Sequence, residues 1–165
     1  MRELSGMIVR ASDRILIQGI TGRQGSFWTK RMQAYGATVI GGVNPKRAGE
    51  KFLGTSIFGS AVAAAKETAI DIAVMFIPPI AAKAAALDAI DAGVRLLVVL
   101  TEHIPTHDVM YFMAAAKDSN TRIIGPNTAG LVTPGETFVG IMPAWEESIC
   151  HPGRVGVISR SGSLG

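Results

Sequence analysis

An internal disulfide is excluded at once: the sequence holds a single cysteine, Cys150. Such usage suits a reducing compartment. No apolar run reaches the roughly 18 residues that a membrane span requires. The opening stretch MRELSGMIVR lacks the apolar core and cleavage pattern of a secretory signal. The expected location is cytoplasmic, or the mitochondrial matrix in a eukaryote, with no membrane partner. A net charge of +3, scattered along the chain, is too weak a basis for nucleic-acid binding. His103, His107 and His151 have no metal-ligand spacing, and lone surface or capping roles are expected for them. No Ser-His-Asp set can be assembled, and Cys150 lacks a nucleophile signature. Neither an internal repeat nor a low-complexity tract is present.

What is there is core-forming material. Hydrophobic residues make up 48% and charged residues 18%, a folding composition rather than a disordered one. Apolar runs alternate with helical patterns. RILIQG (Arg14–Gly19) predicts the first strand, and the helix after it carries Trp28, Met32 and Tyr35 on its core face. ATVIGGV (Ala37–Val43) predicts the second strand, followed by a polar loop, NPKRAGEKFLGTS. Ser60 is a candidate cap for a short helix through Glu67. DIAVMFI (Asp71–Ile77) and RLLVVLT (Arg95–Thr101) predict two more strands, with an alanine-rich helix between them closed by Gly93. THDVMYFMAAAKDS predicts a helix capped by Thr106, and RIIG (Arg122–Gly125) a fifth strand. Near-continuous apolar strands separated by helices predict an α/β fold with a doubly wound parallel sheet. It occupies residues 1–145. Residues 146–165 are expected to hold a linker and then RVGVIS (Arg154–Ser159), the opening strand of a second, truncated domain.

Ligands of open α/β sheets lie at the carboxyl ends of the strands. The first such loop, in IQGITGRQGSF, places Gly19, Gly22 and Gly25 three residues apart. Glycines there let a backbone approach an anion at a helix N-terminus, and Thr21 adds a hydroxyl. The same spacing also serves a tight strand-to-helix turn. No Gly-Lys-Ser/Thr follows, which excludes a P-loop. The second loop reads VNPKR: Asn44, Lys46 and Arg47, with no carboxylate for the ribose hydroxyls of NAD. Two cations suit a ribose phosphate instead, either that of NADP or that of coenzyme A; a solvated basic loop would read the same. The third and fourth loops, FIPPIAAK and LTEHIPTHD, are stiffened by proline. In the fifth, GPNTAG, Asn127 and Thr128 belong to a rigid crossover or to a wall of the ligand site.

Taken in order, QGITGRQGSF, AYGATVIGGVNPKRAGEKFLG, FIPP, AIDAGVRLLVVLTEHIPTHD, RIIGPNTAGLVTPGE, GIMP and PGRVGVISRSGSL closely resemble the alpha subunit of succinyl-CoA synthetase and related acyl-CoA ligases. The resemblance runs along essentially the whole chain and matches that family's N-terminal CoA-binding domain. It implies a Rossmann-like sheet, coenzyme A as cofactor, and a second, flavodoxin-like domain beginning near the C-terminus. It implies that Thr21, Gly22, Arg23 and Gln24, with Gly19 and Gly25 shaping the turn, cradle the cofactor's phosphates and nucleotide. Arg47 or its neighbour Lys46 takes the place of a contacting lysine. Ile77 and Pro78, and Leu100, Thr101 and Glu102, line the same site. Ser159, Arg160, Ser161 and Gly162 fall on a loop facing a phosphorylated histidine.

The family's catalytic histidine belongs to its second domain, so none of the three histidines here inherits that role and no catalytic residue is assigned. The implied partners are a beta subunit of the ATP-grasp type and a small carboxylic acid. Two departures stand out. GPNTAG replaces the family's GPNCPG, which leaves the acid open between succinate and other carboxylates, with the Thr128 hydroxyl in place of the cysteine. NPKRAGEKFLG replaces its TPGKGG pattern, which leaves the phosphate contact open between Lys46 and Arg47. The reading from another class is a stand-alone regulatory module that binds CoA or NAD(P).

Overall fold

A computed structural model describes residues 9–146 and 148–154. The chain enters its main sheet at the centre. β1 (Arg14–Gln18) reads RILIQ, and Ile15, Leu16 and Ile17 are all fully buried. Successive side chains of a strand point to opposite faces, so a strand covered on both sides is apolar at every position. β5 (Ile72–Met75) and β6 (Leu96–Val99) follow the same rule, with no exposure at any residue.

From β1 the chain crosses through α1 (Arg23–Ala34) to β2 (Thr38–Val43) and then to β4 (Thr55–Phe58). It returns through α2 (Ala61–Glu67) to β5 on the other side of β1. α3 (Pro79–Asp91), β6, α4 (Thr106–Lys117) and β7 (Arg122–Ile124) extend the sheet outward. With β3 (Lys51–Phe52) the order is β3-β4-β2-β1-β5-β6-β7. Every pair is parallel except β3–β4. The order reverses between β1 and β5, which is where an open α/β sheet opens a crevice for ligands.

The sheet divides the core in two. Leu16, Ala73, Met75, Leu97 and Val99 face α3 and α4, where Ala82, Ala86, Ala89 and Phe112 are buried. Ile15, Ile17, Val74 and Val98 face α1 through Met32. A separate hairpin, β8 (Gly130–Thr133) and β9 (Thr137–Gly140), covers that second layer with Phe138 and Val139. The expected core face of α1 holds, with Met32 fully buried and Trp28 and Tyr35 half-buried beside it.

Two expectations need correction. The polar loop after β2 contains β3 and the start of β4. Leu53 (φ 51°) and Gly54 (φ 77°) form a two-residue turn with both residues left-handed, the geometry that joins tightly paired antiparallel strands. Five expected strands thereby become a seven-stranded sheet. Thr106 is the first helical residue of α4 and not its cap; extended Pro105 occupies that position without a side-chain bond. Ser60 does cap α2, accepting the Ala63 N–H at 2.9 Å. RVGVIS lies outside the described residues except for Arg154, as does SRSG.

At the end of the sheet away from the ligand loops, Asp71 accepts hydrogen bonds from Arg14 Nε (2.8 Å), Nη2 (3.0 Å) and backbone N–H (2.8 Å). The Arg14 side-chain bonds lower the Asp71 pKa, partly opposed by burial. Glu136 is lowered mainly by the Ala11 N–H, then by Arg10. A carboxylate whose folded pKa lies below its unfolded one stabilises fully above the unfolded value. That contribution is lost as pH falls through the folded one. Thermal melts are expected to hold steady near neutrality and to drop below about pH 4. Asp71→Asn should flatten part of that drop and lower the melting temperature at pH 7; an unchanged acid limb would contradict the assignment.

Candidate CoA site

The five ligand loops are stitched together in the order of their strands. Asn44, after β2, donates its side-chain Nδ2 to Thr21 Oγ1 in the loop after β1, at 2.6 Å. The β1 loop in turn abuts the β5 loop: a Cβ on Gly19 (φ 82°) would collide with the Phe76 carbonyl oxygen. Thr101, after β6, donates its hydroxyl to the Ile77 carbonyl at 2.6 Å. The Asn127 N–H, after β7, donates to the Thr101 carbonyl at 3.0 Å. Asn127 is itself left-handed (φ 56°) and follows a cis Gly125–Pro126 bond. All the segments expected to form the site on strand ends therefore share one rim.

At the centre of that rim α1 begins. Gly22 is its N-cap, extended at φ −71° and ψ 160°. The first helical hydrogen bond runs from the Ser26 N–H to the Gly22 carbonyl at 2.8 Å. The N–H groups of Arg23, Gln24 and Gly25 precede it and have no helical acceptor. Aligned amides at a helix start favour an anion. Gln24 accepts a hydrogen bond from Trp28 Nε1 at 3.1 Å, one turn along the same helix. Arg23 is exposed at the helix mouth.

The two cations after β2 are not equivalent. Arg47 is held by Glu50, with Nε and Nη2 at 2.8 and 2.7 Å from Oε2, and its guanidinium lies over the Phe52 ring at 5.3 Å. Lys46 is exposed, and its ammonium has no acid partner among the described residues. Its backbone N–H donates to Asn44 Oδ1 at 2.9 Å, which fixes the 3-10 turn Pro45–Arg47. None of the residues directly after β2, Asn44 to Arg47, is the carboxylate that a NAD site would need, and Glu50 further along the loop is taken up by Arg47.

Elsewhere, Pro78 is the extended residue before α3, and Ile77 and Leu100 pack against the two core layers. Glu102 projects into solvent, 3.8 Å from His103. The Thr128 hydroxyl accepts from the Gly130 N–H at 3.2 Å, closing its own turn. No group of three or more His, Cys, Asp or Glu residues suited to a metal occurs among the described residues. No described helix is long and apolar enough to cross a membrane.

The family model described as CoA binding domain matches residues 11–103, which span β1 to the loop after β6. The chain belongs to the CoA-binding domain family. Its cofactor is coenzyme A, and the open amides of α1 with the Lys46 ammonium, unpaired among the described residues, are the kind of groups that suit a phosphate-bearing molecule. This CoA-binding domain is 40% identical over 158 residues to the succinate–CoA ligase [ADP-forming] subunit alpha 2 of Archaeoglobus fulgidus, covering 96% of this chain and 54% of that one. It is 42% identical over 155 residues to the malate–CoA ligase subunit alpha of Methylorubrum extorquens, covering 92% and 51%. The chain thus spans about half the length of these relatives. Among solved structures, the ATP citrate lyase of Methanothrix soehngenii in complex with citrate and coenzyme A shares the fold. The TM-score is 0.69 at 20% identity, over 82% of this chain and 24% of that one.

The sequence places Asn44 in the second ligand loop with Lys46 and Arg47 but assigns it no contact; the structure gives it two, to Thr21 Oγ1 and to the Lys46 N–H. The available sign was its place: it stands at the β2 end, beside a proline, where a side-chain cap for a turn is favoured.

Proposed function

We propose that the chain is the CoA-binding portion of an acid–CoA ligase alpha subunit. The whole enzyme joins a small carboxylic acid to CoA at the expense of a nucleoside triphosphate, through a phosphohistidine supplied by sequence outside this chain. Its partner is a beta subunit of the ATP-grasp type. Coenzyme A supplies the thiol that becomes the thioester. The residues here grip and orient. The amides of Arg23, Gln24 and Gly25 and the Thr21 hydroxyl face phosphate oxygens. Lys46 adds the charge. Ile77, Pro78, Leu100, Thr101, Glu102, Asn127 and Thr128 form the rim along which the rest of the molecule lies. Ser159, Arg160, Ser161 and Gly162 are assigned, by the resemblance alone, to handling the phosphohistidine.

The observation that carries this reading is the linked rim of five loops around an open helix start, with a cation unpaired among the described residues and no carboxylate in the four residues directly after β2. The test is calorimetric titration with CoA, beside thermal shifts in CoA, NADP and NAD. A ligand at 100 times its Kd stabilises by about 2.7 kcal/mol. CoA alone should raise the melting temperature; a larger shift with NADP or NAD would favour the regulatory module instead.

The difference between the two cations yields a second measurement. Lys46→Ala should weaken CoA binding about tenfold, the worth of a charge-assisted hydrogen bond. It should also flatten the salt dependence of the Kd. Arg47→Ala should change affinity by about threefold or less, because Glu50 already neutralises that guanidinium. The reverse ranking would move the phosphate contact to Arg47.

A further inference from the structure

The Asn44 side chain is oriented by chemistry at both ends. The Lys46 backbone N–H can only donate, so the atom facing it at 2.9 Å is the amide oxygen, Oδ1. Nδ2 is thereby turned toward Thr21 Oγ1, at 2.6 Å. An amide nitrogen can only donate, so the Thr21 hydroxyl oxygen accepts. Its own proton points elsewhere, and no protein acceptor takes it among the described residues. Thr21 lies in the loop between β1 and the open amides of α1, so its uncommitted O–H is within the ligand rim and free to be donated to a bound group.

We propose that Asn44 is a positioning residue: by donating to Thr21 Oγ1 it commits the Thr21 hydroxyl proton to a phosphate oxygen of the cofactor. The inference rests on the CoA reading of the site. A carboxylate at position 44 would act in the opposite sense. It would still cap the Lys46 N–H, since Asp and Asn are comparable caps. It would take the Thr21 proton for itself and leave the hydroxyl lone pairs facing outward. The same loop would then present an acceptor where it now presents a donor. Asn44 is thus the switch between a loop that greets phosphate and one that greets a hydroxyl.

The test uses the 165-residue chain and calorimetric titration with CoA, with thermal melts run in parallel. Asn44→Asp should leave the melting temperature near that of the parent and weaken CoA about 10- to 100-fold. Repulsion between a new carboxylate and the phosphates would also weaken binding, so a neutral cycle isolates the role of Thr21. Asn44→Ala and Thr21→Val should each weaken CoA about tenfold, and the double variant should be no worse than the weaker-binding single one. Thr21→Ser should bind like the parent, because it keeps the hydroxyl. Additive losses in the cycle, or an Asn44→Asp variant that binds CoA like the parent, would overturn the inference while leaving the CoA reading intact. A parent chain with no affinity for CoA would overturn both.

Discussion

Gly22→Val is expected to leave the chain folded and to lower its affinity for CoA by about 100-fold or more, equivalent to at least about 2.7 kcal/mol. Fold and binding depend on different sides of Gly22. Gly22 is extended, at φ −71° and ψ 160°, a conformation that valine adopts readily. A Cβ there meets only the Gly19 carbonyl oxygen, at 3.2 Å, and needs a shift of a few tenths of an ångström. Neither the Gly22 N–H to Gly19 carbonyl bond nor the Ser26 N–H to Gly22 carbonyl bond involves the new side chain. Valine is a poorer cap than glycine, by about 1 kcal/mol or less, so the melting temperature should fall by a few degrees at most. Space outside is another matter. The added methyls stand at the mouth of α1, where a phosphate must approach the amides of Arg23, Gln24 and Gly25. Calorimetry and a thermal melt on the same sample decide it. A well-folded variant that binds CoA within about threefold of the parent would remove the helix start from the site.

Gly19, Gly22 and Gly25 show how far a sequence pattern reaches. Their spacing announces a strand-to-helix turn, and that much was legible. It presents the three as equivalent, which they are not. Only tertiary contacts separate them: Gly19 is left-handed against Phe76, whereas Gly22 has room toward the rim. The strands were legible for a simpler reason. A central strand covered on both faces has to be apolar throughout, and RILIQ, IAVM and LLVV are nearly so. The ligand loops then followed as the segments after those strands. The β3–β4 hairpin was hidden because its turn puts Leu53, not glycine or asparagine, at the first left-handed position. The difference in pairing between Lys46 and Arg47 was hidden too. It depends on a 3-10 turn that brings Glu50 to Arg47, a contact that composition alone does not reveal.

Gly25→Ala should damage the fold itself, against the ordinary direction of the substitution. In a helix interior, alanine is favoured over glycine by about 1 kcal/mol. Gly25 lies in the first turn of α1 and is buried, with the turn after β1 directly beneath it. An added Cβ would collide with the Gly19 carbonyl oxygen and lie 3.0 Å from its carbonyl carbon and 3.1 Å from Ile20 Cα. All three are backbone atoms, so no rotamer change relieves the contact. Gly19 cannot retreat either, because its N–H is bonded to the Val43 carbonyl at 3.1 Å and its Cα is close against Phe76. Relief therefore requires lifting α1 off the sheet, which also loosens Met32 from Ile15 and Ile17 in the core beneath. Overpacking of this kind costs about 3 kcal/mol, enough to outweigh the helix-propensity gain. For a domain of this size the melting temperature should fall by roughly 10 °C. CoA affinity should fall as well, since the amides move with the helix, but saturating CoA should restore part of the lost stability by mass action. Gly22→Val should show the opposite pairing, a small thermal change with lost binding. If Gly25→Ala instead raises the melting temperature, the close approach of α1 to the β1 turn is wrong, and the third glycine belongs with the ligand rather than with the fold.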